Sequence, residues 1–156
     1  MTQRVALATV MDRLSIDAVI TDYAVAVSDG AWEEYGALFT PDGHADYRGA
    51  GGAEGPAAEA AGWLAESVRR LPVRQHLIVN RRLDLQDLGG YPGDLARVRA
   101  DYLSPAGREP WDGRTAPALV TGGRYVFGLR RTDTGWLIRT VTAHRTWRHA
   151  PGTAAG

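Results

Sequence analysis

The sequence predicts an α+β protein in which three helices cover one side of a curved antiparallel sheet and leave a pocket between the layers. Three observations carry this expectation. The apolar period is helical as far as Leu71, it becomes alternating beyond Pro72, and Gly- and Pro-rich breaks separate the segments. The 156 residues correspond to a common domain size, and with 44% apolar and 23% charged residues the chain can bury a sizeable core. A single domain over 1–150 is expected, followed by a disordered tail at 151–156.

Each element has its own signal. Ile16, Val19, Ile20, Tyr23, Ala24 and Val27 form the stripe of an amphipathic helix, which turns Tyr23 inward. Ser28-Asp29-Gly30 interrupts it and offers Asp29 as the N-cap of a second, short helix carrying Trp32, Tyr35, Leu38 and Phe39. Thr40-Pro41-Asp42-Gly43 has the chemistry of a turn and should end that helix. An extended segment from His44 to Arg48 and a Gly/Ala-rich loop from Gly49 to Glu54 follow. Gly55-Pro56 then starts a third helix with Pro at its first position, whose face is Ala60, Trp63, Leu64, Ser67, Val68 and Leu71. Strands are expected at 75–87, 94–104, 119–131 and 135–148, with Thr132-Asp133-Thr134-Gly135 as a hairpin turn. Ser104 to Pro117 reads as a long surface loop or lid edge.

Composition removes several chemistries. There is no Cys, and all 18 basic residues other than His are Arg. Thiol nucleophiles, disulfides and Lys Schiff bases are therefore excluded. The zero net charge gives no footprint for nucleic acid, and no apolar run is long enough to span a membrane. The N-terminus lacks the features of a signal peptide, so the cytoplasm is the expected location. His44, His144 and His149 show no metal-ligand spacing, and neither a phosphate loop nor a dinucleotide fingerprint is present. Neither a metal nor any other cofactor is expected.

His76, in Val73-Arg74-Gln75-His76-Leu77-Ile78-Val79-Asn80, stands out against this background as a candidate acid/base at the start of a half-apolar strand. Tyr47 shares parity with Ala45 and can face inward as a donor to a carbonyl. Asn80 shares parity with His76. Strict alternation groups Ala96, Val98, Ala100 and Tyr102, and sends Asp101 to the opposite face with Arg97 and Arg99 unless a β-bulge turns it inward.

The ordered motifs Tyr23-Ala24, Gly30-Ala31-Trp32, Leu38-Phe39-Thr40-Pro41-Asp42-Gly43, Asp46-Tyr47-Arg48-Gly49, Gly93-Asp94-Leu95-Ala96, Gly123-Arg124-Tyr125 and Gly135-Trp136-Leu137-Ile138 resemble the SnoaL-like proteins of the nuclear transport factor two-like superfamily. The resemblance covers roughly residues 12 to 148. It implies a cone-shaped α+β barrel and a range of possible activities, including dehydratases, isomerases, cyclases and plain binding subunits. Scytalone dehydratase and the bile-acid dehydratase type are the nearest analogues by pattern. The resemblance implies His76, Asp101 and Tyr47 as catalytic residues, and Tyr23, Asn80, Trp63, Tyr102, Tyr125 and Phe127 are expected as the substrate-binding set. Two positions depart from the family pattern. Ser28 stands where relatives often carry an Asp paired to the catalytic His, and Phe127 replaces an acidic residue.

The expected function is cofactor-independent proton transfer on a small, apolar, oxygenated ring compound such as a polyketide, steroid or terpenoid, by dehydration, isomerisation or cyclisation. The alternative is a non-catalytic binding or assembly module of the same fold. Arg97, Arg99, Arg130, Arg131 and Arg139 on uncovered strands suggest a polar homodimer interface.

Overall fold

A computed structural model describes residues 3–86, 90–109 and 116–151. Trp111, the centre of the expected lid segment and all of the expected tail beyond Pro151 lie outside the described residues. The order of elements is α1 (Gln3–Asp29), α2 (Trp32–Ala37), β1 (Phe39–Gly49), β2 (Glu54–Pro56), α3 (Ala57–Val68), β3 (Val73–Arg74), β4 (Leu77–Gln86), β5 (Leu95–Gly107), β6 (Leu119–Thr132) and β7 (Gly135–His149).

The α+β expectation holds, with three helices packed on one curved sheet that closes into a half-barrel. Strand order is β2-β1-β7-β6-β5-β3, and β4 also pairs with β5. The expected all-antiparallel sheet is in fact mixed, because β1 runs parallel to β7. Parallel neighbours need a long crossover. Here α3 and five strands intervene.

α1 begins well before the Ile16 stripe, since residues 3–15 contain neither Gly nor Pro and are rich in good helix formers. Gly30, at φ 70°, ends it in the left-handed conformation, and the Ala31 N–H bonds back to the Ala26 carbonyl at 2.9 Å. Asp29 is therefore the last residue of α1 rather than the N-cap of α2; that cap is Ala31, which makes no side-chain capping bond. Phe39 belongs to β1, not to α2.

Thr40-Pro41-Asp42-Gly43 is likewise not a free turn. It lies inside β1, where the register passes from Phe39 opposite Ile138 to His44 opposite Thr140, so five steps of β1 span two of β7. The turn chemistry is absorbed by a bulge. Pro56 precedes the first turn of α3 as its N-cap, at φ −53° and ψ 143°. The hairpin at Thr132–Gly135 matches the expectation, with Gly135 at φ 128°.

The inner face of the sheet is built by alternation. Ala96, Val98, Ala100 and Tyr102 of β5, Tyr125, Phe127 and Leu129 of β6, and Trp136, Ile138, Val141 and Ala143 of β7 are buried against Ile16, Ile20, Tyr23 and Val27 of α1. Arg131 ties the long helix to the hairpin end of the sheet. Its guanidinium donates to both Asp12 carboxylate oxygens at 2.8 and 2.7 Å and to Asp94 at 3.2 Å, and lies over the Trp136 ring at 4.6 Å. Among the described residues no helix is long and apolar enough to cross a membrane.

Candidate active site

His76 occupies the two-residue gap between β3 and β4, immediately before the strand it was expected to open. Both strands pair with β5, and the interval places His76 opposite Ser104. Its position is fixed from two sides. The His76 backbone N–H donates to the Ser28 hydroxyl at 2.8 Å, and the Gln75 N–H donates to the Pro105 carbonyl at 3.0 Å.

The imidazole is buried, and its two nitrogens contact hydroxyls rather than carboxylates. Nδ1 lies 3.2 Å from Ser104 Oγ and Nε2 lies 2.9 Å from the Tyr125 hydroxyl. In either neutral tautomer one ring nitrogen donates and the other accepts, so both hydroxyls can be satisfied. Desolvation holds the His76 pKa down at about 4, and the Arg74 charge acts in the same direction. Arg74 is itself held in place by donating from Nε to the Val27 carbonyl at 2.8 Å.

Aromatic rings surround the imidazole. Tyr102 lies 5.6 Å from it and Tyr125 meets it edge-on at 5.5 Å. Tyr125 also packs on Tyr102, Tyr23 and Phe127, at 4.9, 5.6 and 5.2 Å. Beyond Tyr23 a second polar cluster begins. The Tyr47 hydroxyl lies 2.7 Å from both the Tyr23 and the Tyr35 hydroxyls, and its ring stacks on Trp63 at 6.0 Å. Burial pushes the phenols of Tyr23, Tyr47 and Tyr125 well up from their ordinary value and that of Tyr35 to about 12, so all four remain protonated donors.

Glycines let the backbones and rings approach this closely. A Cβ on Gly123 would run into the His144 carbonyl and the Tyr102 ring, and one on Gly52 would enter the Trp63 indole. Arg145 extends past Gly51, and its charge acts on the Tyr102 phenol.

The expected site residues therefore divide. His76, Tyr47, Tyr23, Tyr102, Tyr125 and Phe127 converge in one buried cluster, with Trp63 half-buried at its edge. Asp101 and Asn80 do not join it. The Asp101 side chain is 39% exposed on the outer face, where it accepts from Arg124 Nε at 3.1 Å and from Asn80 Nδ2 at 3.1 Å. Both hydrogen bonds lower its pKa. A bulge does exist nearby, between Val79 and Arg82 on β4 with Asn80 at φ 52°, but it deforms β4 and leaves the alternation of β5 intact. That bulge also takes Asn80 out of the parity that would have aligned it with His76.

Sequence reasoning missed Ser104, Tyr35 and Arg145 as neighbours of the site. The pairing register of β5 gave the only route to Ser104. Two surface clefts lie elsewhere. One of about 380 Å³ sits on the outer sheet face between Arg97 and Arg139, and one of about 240 Å³ lies beside α1 at Arg13, Asp17 and Arg81. Among the described residues no cluster of His, Asp and Glu has metal-binding geometry.

Comparison with known proteins adds the following. A family model described as a SnoaL-like domain matches residues 8–142. An uncharacterized protein of Mycobacterium tuberculosis is 29% identical over 136 residues, covering 86% of each chain. Among solved structures, a candidate scytalone dehydratase from Novosphingobium aromaticivorans superposes with a TM-score of 0.73 at 18% identity, covering 97% of this chain and 95% of that one. A hexachlorocyclohexane dehydrochlorinase, LinA-type3 from Novosphingobium barchaimii, gives a TM-score of 0.74 at 16% identity, covering 97% of both. At these identities the structures share the fold.

Proposed function

The chain belongs to the SnoaL-like domain family, and we propose that within it this protein is a cofactor-independent proton-transfer enzyme acting on a small, apolar, oxygenated ring compound. The observation that supports this most is the contact between His76 Nε2 and the Tyr125 hydroxyl at 2.9 Å inside a buried aromatic cage. A neutral imidazole beside a protonated phenol pairs a base with a hydrogen-bond donor. His76 takes a proton from carbon or hydroxyl next to a carbonyl, while a phenol stabilises the charge that develops on the carbonyl oxygen. Tyr102, Phe127 and Trp63 supply the apolar walls, and Tyr47 fixes the Tyr23 and Tyr35 hydroxyls behind them. The same base and donor serve dehydration, isomerisation or cyclisation, the classes in which a polyketide, steroid or terpenoid skeleton is the natural substrate. The fold neighbours named for dehydration and dehydrochlorination fit elimination best. We place this activity in the cytoplasm, in natural-product metabolism, and in a homodimer.

A second reading, a module that binds such a ligand without turning it over, draws on the Ser28 contact. Where relatives pair the His with Asp, this chain offers a hydroxyl to the His76 backbone, and among the described residues no carboxylate reaches the imidazole. Turnover of cyclic ketones and hydroxyketones by wild type and His76→Ala, measured beside their affinity, separates the two. The enzyme reading expects turnover to fall by about 100- to 10,000-fold in the variant. Binding without turnover in either protein supports the module.

A further inference from the structure

We propose that the exposed side of α1 is a self-pairing surface, on which a second copy of this chain docks its own α1 in antiparallel orientation. The helix is apolar on two opposite sides. One side packs on the sheet through Ile16, Ile20 and Tyr23. On the other, Leu7, Met11, Leu14, Ala18, Thr21 and Val25 follow one another at spacings of four, three, four, three and four residues, all of them exposed. That alternation is the heptad seam of a two-helix coiled coil. At 100° per residue it lies opposite the buried stripe.

The exposure is large where the side chains are large. Leu7, Met11, Leu14 and Val25 are 62%, 55%, 61% and 48% exposed, and Val10, flanking the seam, is 50% exposed. Leaving that much aliphatic surface in water along one helix marks an interaction surface. From Leu7 to Val25 the seam runs roughly 27 Å at 1.5 Å per residue. The site cluster gives this face no role, since its α1 members, Tyr23 and Ser28, lie off the seam.

Charge selects both the occupant and its direction. The N-terminal half of α1 carries Arg4 and Arg13, and its single acid, Asp12, is already bound to Arg131. The C-terminal half carries no base, and its acids are Asp22, Asp29 and Asp17, the last already paired with Arg81 of β4 at 2.9 Å. A second copy lying antiparallel brings each basic half beside an acidic one and also opposes the helix dipoles, whereas a parallel copy stacks like on like. With the seams fully overlapped, Leu7 meets Val25 of the other copy, Met11 meets Thr21, and Leu14 meets Ala18. Of the strand arginines, Arg130 and Arg131 are engaged within the chain by Asp42, Asp12 and Asp94 and so are not free to bind a second copy through the sheet face. The rival surface there is the apolar row Leu77, Leu103 and Trp147 across the outer sheet.

Light scattering after size exclusion on the full chain tests this. Wild type is expected to be dimeric at micromolar concentration. Leu14→Glu, at an exposed position with unchanged circular dichroism expected, should raise the dissociation constant at least about thirtyfold, as for a central contact residue. Leu103→Arg on the outer sheet should leave the dimer intact. A monomeric wild type, or a dimer that survives Leu14→Glu, overturns the proposal, and dissociation with Leu103→Arg in the latter case assigns the interface to the outer sheet. Direction is read by cross-linking, which the absence of native Cys makes clean. Leu7→Cys combined with Val25→Cys should oxidise to a covalent dimer while Leu7→Cys alone does not. Rapid cross-linking of the single variant contradicts the antiparallel arrangement.

Discussion

The Tyr125 hydroxyl and His76 Nε2, 49 residues apart in sequence, meet at 2.9 Å in the interior of the protein, and the imidazole's other nitrogen reaches Ser104 at 3.2 Å. The basicity of His76 is lowered by burial, with the Arg74 charge adding to the effect, and no carboxylate among the described residues reaches the ring to raise it. Its behaviour should differ from that of a His held by a carboxylate.

Stability should record this directly. The folded-state pKa of about 4 lies below the ordinary 6.5, so between these values the unfolded chain binds more protons than the folded one. Stability is therefore fully present above about pH 6.5 and falls as pH drops toward 4, by roughly 3 kcal/mol from this group. Urea denaturation of wild type and His76→Asn at pH 7 and pH 4.5 measures it, with the wild type losing more than the variant on acidification. The same pKa keeps the base neutral across the physiological range, so turnover should be flat from pH 8 to pH 5.

Introducing a carboxylate at position 28 should reverse the shift. Ser28, in the last turn of α1, already touches the His76 backbone at 2.8 Å, so Ser28→Asp brings a negative charge close to the imidazole. An opposite charge favours imidazolium. NMR titration of the imidazole should show its pKa moving up from that of wild type. An unchanged pKa means that residue 28 does not act electrostatically on the ring.

Tyr125→Phe removes the hydroxyl and leaves a buried ring nitrogen without its partner. The expected cost is about 1 to 3 kcal/mol. It appears as a lower urea midpoint at constant m-value, together with slower turnover. A variant as stable and as active as wild type removes Tyr125 from the account.

Close approach of β6 and β7 depends on Gly123. A Cβ there meets the His144 carbonyl, which belongs to a backbone and cannot swing aside, so Gly123→Ala should destabilise by about 1 to 3 kcal/mol. Because Tyr102 leans on the same glycine, the affinity for cyclic ketones should fall as well. Thermal unfolding and ligand titration check the two effects.

The layers of the fold were legible because burial on one face writes a period into the sequence. The change from helical to alternating patterning near Pro72 located the sheet, and alternation alone placed Tyr102 inward and Asp101 outward. What failed was local and depended on tertiary contacts. Thr40-Pro41-Asp42-Gly43 has every mark of a turn, yet pairing with β7 draws it into a strand as a bulge. The β4 bulge at Asn80 broke a parity that the sequence does not show to be broken. The buried His/Tyr cluster was half visible, because aromatic and His positions follow from alternation, whereas Ser104 and Tyr35 enter only through cross-strand register and helix packing.

Proton removal by His76 from carbon beside a carbonyl, as proposed, is read directly by deuterium exchange, without knowledge of the final product. Cyclic ketones incubated in heavy water with wild-type protein and followed by proton NMR should lose their α-proton signals, with the rate reduced about 100-fold or more in His76→Ala. Equal exchange rates for the two proteins, or ketone binding with no exchange by wild type, would contradict the account.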